Sequence, residues 1–484
     1  MSVTREHPEH KKLDYPLQFI NKNYITINHE DRLKYTRVLD KILDAIRKNM
    51  AEVDNVYRDF AGAVNYSGSV YDKVKVGKPD EFDLNLVMKL PSAWKYHEDI
   101  KILNSSPGYI TINLNGGASL YRDPSFANKY QRGINGWIDD QGYMIQEKFH
   151  AWMEGVLVKA LNRRPNFGEH ITVKTKKSGP ALTLLCEDTL NGIKLDVDLV
   201  PVIQFNNAED FCWPPKPVKK KPQQCSKKTW CAVPKPKKGN VAGAPNREWR
   251  VSFSDQEKEL LYNKGKMKNL IRQIKKLKSA HVETKFLPSY YVKTIFLWAL
   301  HDPTIDQSIW NKWSDGELFM FMLKRLHNHL EKGEILYFWD ERNNLLSSLG
   351  NSVQNMKHRI QRIIKDIENN VNDPLALARN MLSKKNEYQN VPRRPHRNKS
   401  SHRLRKFHVG NLEYESRVTY ADHESIVNNV NHSTIYDIFG HVFILIILNM
   451  ILALFHFKLN ESKVVDYVKR AYYVWCWTQQ KYND

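Results

Sequence analysis

The chain has 484 residues, 41% of them hydrophobic and 26% charged, which excludes a small disulfide-stapled scaffold, a wholly disordered chain and a polytopic membrane protein. Lys and Arg number 74 against 53 Asp and Glu, a formal charge of +21 that suits polyphosphates, nucleic acid or anionic lipid. Only 5 cysteines and a charged opening stretch argue against secretion and for a reducing, cytoplasmic setting.

Residues 1–30 read as a polar N-terminal segment. Over 31–60, Leu33, Val38, Leu39, Ile42, Leu43, Ile46, Met50, Val53, Val56 and Phe60 recur at helical spacing and predict one long amphipathic helix. Its other face carries Arg37, Lys41, Arg47 and Lys48, which either meet a nucleic-acid backbone or, as on most helices, solvent.

Two runs then alternate with period two, as strands buried on one face do. Phe82, Leu84 and Leu86 oppose Glu81, Asp83 and Asn85; Ile193, Leu195, Val197 and Leu199 oppose Lys194, Asp196 and Asp198. These elements make 31–205 an expected α+β core with acids gathered on one side of a sheet. Over 206–248, prolines such as Pro214, Pro217 and Pro222 interleave with lysines such as Lys219, Lys220 and Lys221, predicting a basic extended loop that is either a linker or a nucleic-acid contact. Helical spacing returns over 249–375, as a second lobe. A basic stretch at 376–437 lacks apolar periodicity and reads as disordered. Residues 438–457 carry no charge, and a helix of that length spans roughly 30 Å, so the stretch is either a transmembrane segment or a buried helix, ahead of a tail at 458–484.

Gly68 and Ser69 precede Glu81 and Asp83 in the sequence. A glycine lets backbone approach a triphosphate closely, and the serine hydroxyl donates to a phosphate oxygen. Acids two apart on a strand project to one side and offer oxygen ligands to hard cations. A third acid from the second run, Asp196 or Asp198, completes a set able to hold two cations. Spacing alone does not choose between the two.

The segments Gly68-Ser69, Glu81-Phe82-Asp83-Leu84, Val197-Asp198-Leu199-Val200-Pro201, Trp249 to Glu257 and Pro288 to Thr294 resemble the cyclic GMP-AMP synthase and Mab-type nucleotidyltransferases, most of all the insect-type receptors. The resemblance runs over about 31–370. It implies a bilobed α+β fold, like polymerase β, with a mixed sheet, a long N-terminal spine helix and a helical C-terminal lobe. It implies two Mg²⁺ or Mn²⁺ ions on Glu81, Asp83 and Asp198. It assigns ATP phosphates to Ser69, Lys275, Ser289 and Lys293, with Lys276 as the neighbouring option, base stacking to Tyr290, guanine contacts to Arg250 and Ser252, and Ser254 and Glu257 to the same nucleotide site. Trp249 and Phe253 are left to the core. The vertebrate DNA-sensing enzyme carries a zinc insertion, whereas 262–286 here contain no Cys; zinc is not expected, and ligation by Cys225 and Cys231 is disfavoured. The implied function is synthesis of cyclic GMP-AMP from ATP and GTP as an antiviral innate immune sensor, activated by double-stranded RNA rather than DNA, with dimerisation on the nucleic acid allowed. A linear oligoadenylate-type synthase and a catalytically silent Mab-type scaffold are the alternatives.

Overall fold

The apolar stripe after residue 31 forms a helix because its start is capped and its face is covered. The Asn28 side chain accepts from the Glu30 amide, Glu30 and Asp31 favour the positive helix end, and Val38, Leu39, Ile42, Leu43, Ile46 and Met50 are buried. In the computed structural model the described residues are 8–392 except 92–93, 95–98, 115–123, 179–180, 207–224, 228 and 236–245. They belong to the unit Met1–Arg397.

In chain order the helices are α1 (Asp14–Ile20), α2 (His29–Val53), α3 (Asn55–Phe60), α4 (Gly68–Tyr71), α5 (Pro124–Asn135), α6 (Gln146–Asn162), α7 (Ser254–Leu260), α8 (Gly265–Ser279), α9 (Ser289–His301), α10 (Ile309–Lys312), α11 (Asp315–Lys332), α12 (Ser352–Asn369), α13 (Pro374–Met381) and α14 (Lys385–Gln389). The single long helix expected over 31–60 is instead α2 and α3. Asp54 takes extended backbone between them and its carboxylate accepts the Tyr57 amide, which caps a new helix rather than continuing the old one.

The strands are β1 (Asn65–Ser67), β2 (Glu81–Lys89), β3 (Lys101–Asn104), β4 (Tyr109–Asn113), β5 (Ile171–Ser178), β6 (Ala181–Asp188), β7 (Ile193–Asn206), β8 (Thr229–Val233), β9 (Glu248–Ser252), β10 (Leu336–Tyr337) and β11 (Asp340–Asn344). Among the described residues the first nine form one mixed sheet in the order β1-β2-β7-β8-β9-β4-β3, with β6 also on β7 and β5 on β6. Only β2 and β7 run parallel; the other pairs are antiparallel. Asn85, expected on the open face of β2, is buried together with Leu84, Leu86, Val87 and Met88, because the middle of this strand is covered on both sides. The basic loop expected at 206–248 contains β8, whose Trp230 is buried and stacks on Phe205 of β7.

The second lobe is helical as expected, with the β10–β11 hairpin inserted. Its α11 begins with a reciprocal cap between Ser314 and Glu317 and ends at Gly333 with φ of 66°, a conformation glycine adopts without strain. The stretch before residue 31 is not merely polar: Leu13, Leu17 and Ile20 are buried, and α1 packs on α11 and α13. At the other end α13 and α14 are ordered helices within what reads as a disordered linker. The fold is α+β, a mixed sheet with its helices followed by a helical C-terminal lobe.

The membrane expectation for 438–457 is corrected. Among the described residues no helix is long and apolar enough to cross a membrane, and 438–457 lies outside them.

Candidate active site

The turn from β1 into α4 lies directly against β2. Gly68 has φ of 75°, and a Cβ placed on it would stand 1.9 Å from Asp83 Oδ2. Handedness and space therefore both demand glycine. Ser67 Oγ donates to the Asp83 carbonyl at 3.1 Å, and Ser69 follows half-buried as the second residue of α4.

The parallel register of β2 and β7 sets Asp83 opposite Asp198 and Glu81 opposite Asp196. Asp198 is half-buried and accepts from Thr183 Oγ1 of β6 at 2.5 Å, whereas Asp196 is exposed. Burial pushes the Asp83 carboxyl up to about 6, and the negative charges of Glu81 and Asp198 add to that push. The three acids thus share one electrostatic neighbourhood. Their side chains do not form one ligand cluster as they stand: Lys75 Nζ holds Glu81 Oε2 at 2.7 Å and Thr183 holds Asp198. Among the described residues no three His, Cys, Asp or Glu side chains are grouped to hold a metal ion. The donor chemistry still suits a hard cation, since the set is all carboxylate oxygen and its central member is raised by burial and by the charges of the other two.

A buried ionic knot begins just after α4. Lys293 Nζ of α9 is 2.7 Å from Asp72 Oδ2, just after α4, and 3.0 Å from Glu257 Oε2 of α7. Asp72, Glu257 and Lys293 are all less than a tenth exposed. Glu257 Oε1 also accepts from Tyr290 Oη at 2.7 Å and Trp339 Nε1 at 3.1 Å. The two carboxylates raise the Lys293 ammonium well above its ordinary range despite its burial. Arg250 on β9 lies against the rings of Tyr290 and Tyr337, 5.7 and 5.8 Å from their centroids. Ser252 and Ser254 are half-buried at the β9–α7 junction, and Ser289 is exposed at the first residue of α9. Lys275 Nζ of α8 donates to the Val74 carbonyl at 2.7 Å; burial and then the charges of Lys75 and Lys278 lower its ammonium to about 8.

Residues 70–263 match the Mab-21 protein nucleotidyltransferase domain and 266–366 the Mab-21 protein HhH/H2TH-like domain. A cyclic GMP-AMP synthase-like receptor of Ctenocephalides felis is 62% identical over 385 residues, covering 78% of this chain and 88% of that protein. The chain belongs to the cyclic GMP-AMP synthase-like receptor family, of Mab-21 type. It is a nucleotidyltransferase. Receptors of the same name in Aethina tumida and Tribolium castaneum are 31% and 32% identical over 376 and 380 residues, each alignment covering 76% of this chain and 91% of the relative.

On this nucleotidyltransferase the helix cations separate into two kinds. Arg37, Lys41 and Lys48 are exposed along α2. Arg47, expected beside them, is half-buried and donates to the Gly62 carbonyl at 3.2 Å, a tie between the end of α2 and the segment leading to β1. Lys219, Lys220 and Lys221 lie outside the described residues. Cys225 and Cys231 are buried thiols, and burial pushes Cys231 up to about 12. Lys75, Asp72, Thr183, Tyr337 and Trp339 were not among the sequence candidates. Asp72, Tyr337 and Trp339 act on candidates from distant segments, whereas Lys75 reaches Glu81 and Thr183 reaches Asp198 from nearby in the chain.

Proposed function

We propose that this nucleotidyltransferase joins ATP and GTP into cyclic GMP-AMP when double-stranded RNA docks on its basic surface. The observation that carries the reading is the parallel register that sets Asp83 opposite Asp198 directly beneath the Gly68 turn. Glu81, Asp83 and Asp198 are the residues that would hold Mg²⁺ or Mn²⁺. Two such ions supply a lowered pKa for the attacking hydroxyl and positive charge for the departing pyrophosphate.

The chain's own groups would do the rest. Ser69, Lys275 and Ser289 offer hydroxyl and ammonium donors to phosphate oxygens. Tyr290 and Arg250 form a flat cationic wall suited to a purine base, with Ser252 and Ser254 at its foot. Glu257 and Lys293, locked together and to Asp72, hold that wall in place; this makes Lys293 a positioning residue in the reading rather than a free phosphate ligand. The exposed cations of α2 and the overall charge of +21 support a polyanionic activator, and A-form duplexes are recognised through shape and backbone. The name of the relatives, cyclic GMP-AMP synthase-like receptor, supports the product in this reading.

The test is incubation of the purified chain with ATP, GTP and Mn²⁺, with double-stranded RNA, double-stranded DNA or neither, and chromatography of the products. A cyclic product that depends on RNA is expected. Linear products would identify an oligonucleotide synthase instead, and no transfer under any condition would overturn the reading.

A further inference from the structure

Lys75 occupies an unusual position for a lysine in an ion pair. Its side chain is only 13% exposed, while its partners Glu81 and Asp80 are 59% and 52% exposed. Lysines at a protein surface ordinarily bury the stem and leave the ammonium in water. Here the ammonium is directed back onto the acid edge, 2.7 Å from Glu81 Oε2 and 3.4 Å from Asp80 Oδ1. It also partly offsets the charge of Asp83.

Two features define what this ammonium faces. Lys75 follows α4 in the chain, so it stands on the same short segment as the Gly68 turn. Its neighbour Val74 presents a carbonyl that accepts from Lys275 Nζ, and the charge of Lys75 acts on Lys275. Two ammonium groups from α8 and the α4 segment therefore share one corner, an arrangement that a polyphosphate relieves.

We propose that Lys75 is a triphosphate-binding residue that competes with a divalent cation for Glu81 and transfers to the nucleotide's phosphate once the cation takes that carboxylate. The inference rests on the reading of Glu81 as a metal ligand. A cation on Glu81 would stand beside the ammonium that Oε2 already holds, so the two like charges compete for the one carboxylate. An ion pair with an exposed partner is weak in water, so the exchange meets little resistance. Metal and nucleotide would then arrive as coupled events: the cation frees Lys75, and the freed ammonium gives the incoming triphosphate a second donor beside Lys275.

The experiment uses the full chain stripped of metal, with two affinities measured separately. Mn²⁺ binding is read by paramagnetic resonance of the free ion without nucleotide; binding of α,β-methylene ATP, which cannot release pyrophosphate, is read at saturating Mn²⁺. Lys75→Met should tighten Mn²⁺ and weaken the ATP analogue, each by about tenfold, and Lys75→Arg should restore the analogue. A merely structural lysine would shift both affinities in the same direction. From the other side of the pair, Glu81→Gln should weaken Mn²⁺ and tighten the analogue in EDTA, because it releases Lys75 directly. If wild type binds Mn²⁺ through Glu81 yet Lys75→Met leaves that affinity unchanged or lowers both, the Lys75 proposal fails alone. If Glu81→Gln leaves Mn²⁺ binding intact, the metal reading of Glu81 fails and this proposal falls with it.

Discussion

Two clusters of charge flank the short helix α4 in the chain, one reached through Asp72 and the other through β2, and they are built on opposite terms. In the knot of Asp72, Lys293 and Glu257 each buried charge meets its opposite within 3.0 Å, and Tyr290 and Trp339 fill a remaining acceptor. On the edge of Glu81, Asp83 and Asp198, burial holds the central acid up at about 6, the charges of its two acidic neighbours add to that, and Lys75 offsets it only in part. A set satisfied within the chain ties segments together. An unsatisfied one is maintained against its own repulsion, as an active site is when a ligand supplies the missing charge.

Breaking the knot should give the largest effect. Lys293→Met strands two buried carboxylates and should cost about 3–5 kcal/mol, read as a fall in the denaturant midpoint. A loss below 1 kcal/mol would mean that the knot does not bind the lobes as described.

Relieving the edge should do the reverse. Folding raises the Asp83 pKa from its ordinary 3.8 to about 6, so the native chain holds that proton more tightly than the unfolded chain. Ionising Asp83 therefore removes stability as pH climbs through that interval, and the whole cost stands at pH 7. In EDTA, Asp83→Asn should stabilise the protein by up to about 3 kcal/mol at pH 7, with the gain vanishing below about pH 4. A destabilised variant at pH 7 would remove the contrast between the two clusters.

Gly68→Ala adds a Cβ where Asp83 Oδ2 already stands and forces φ of 75° on an alanine, for a cost of about 1–3 kcal/mol in melting experiments. Should it melt like wild type, the turn does not press on the acid edge. The smallest effect belongs to Thr183→Val, which removes the donor that holds Asp198 and should cost about 1 kcal/mol at pH 7. An unchanged melt would show that this hydrogen bond does not hold Asp198 in the folded chain.

The contrast also explains how much of the molecule was legible. Alternation in β2 and β7 and the apolar stripe of α2 are local signals, and all three elements stand where their periodicity puts them. The break at Asp54 was hidden because the apolar stripe continues through Val53 and Val56, and only a side-chain cap on the Tyr57 amide interrupts it. Strand β8 was hidden by the lysines and prolines around it. Spacing alone left Asp196 and Asp198 level; the register sets each opposite an acid of β2, Asp196 opposite Glu81 and Asp198 opposite Asp83, and register is a property of two strands more than 100 residues apart. Asp72 and Lys293 are 221 positions apart, so no window on the chain shows their pairing. Lys75 was legible as a residue but not as a partner, because nothing in the spacing from Lys75 to Glu81 says that the lysine turns back.

The central claim is that Asp83 and Asp198, from two distant segments, serve one transfer reaction. Release of pyrophosphate from ATP and GTP with Mn²⁺ and double-stranded RNA tests it most directly, in wild type, Asp83→Asn and Asp198→Asn, each first shown to melt cooperatively. The account predicts release by wild type and none above background by either variant. Undiminished release by either would contradict it.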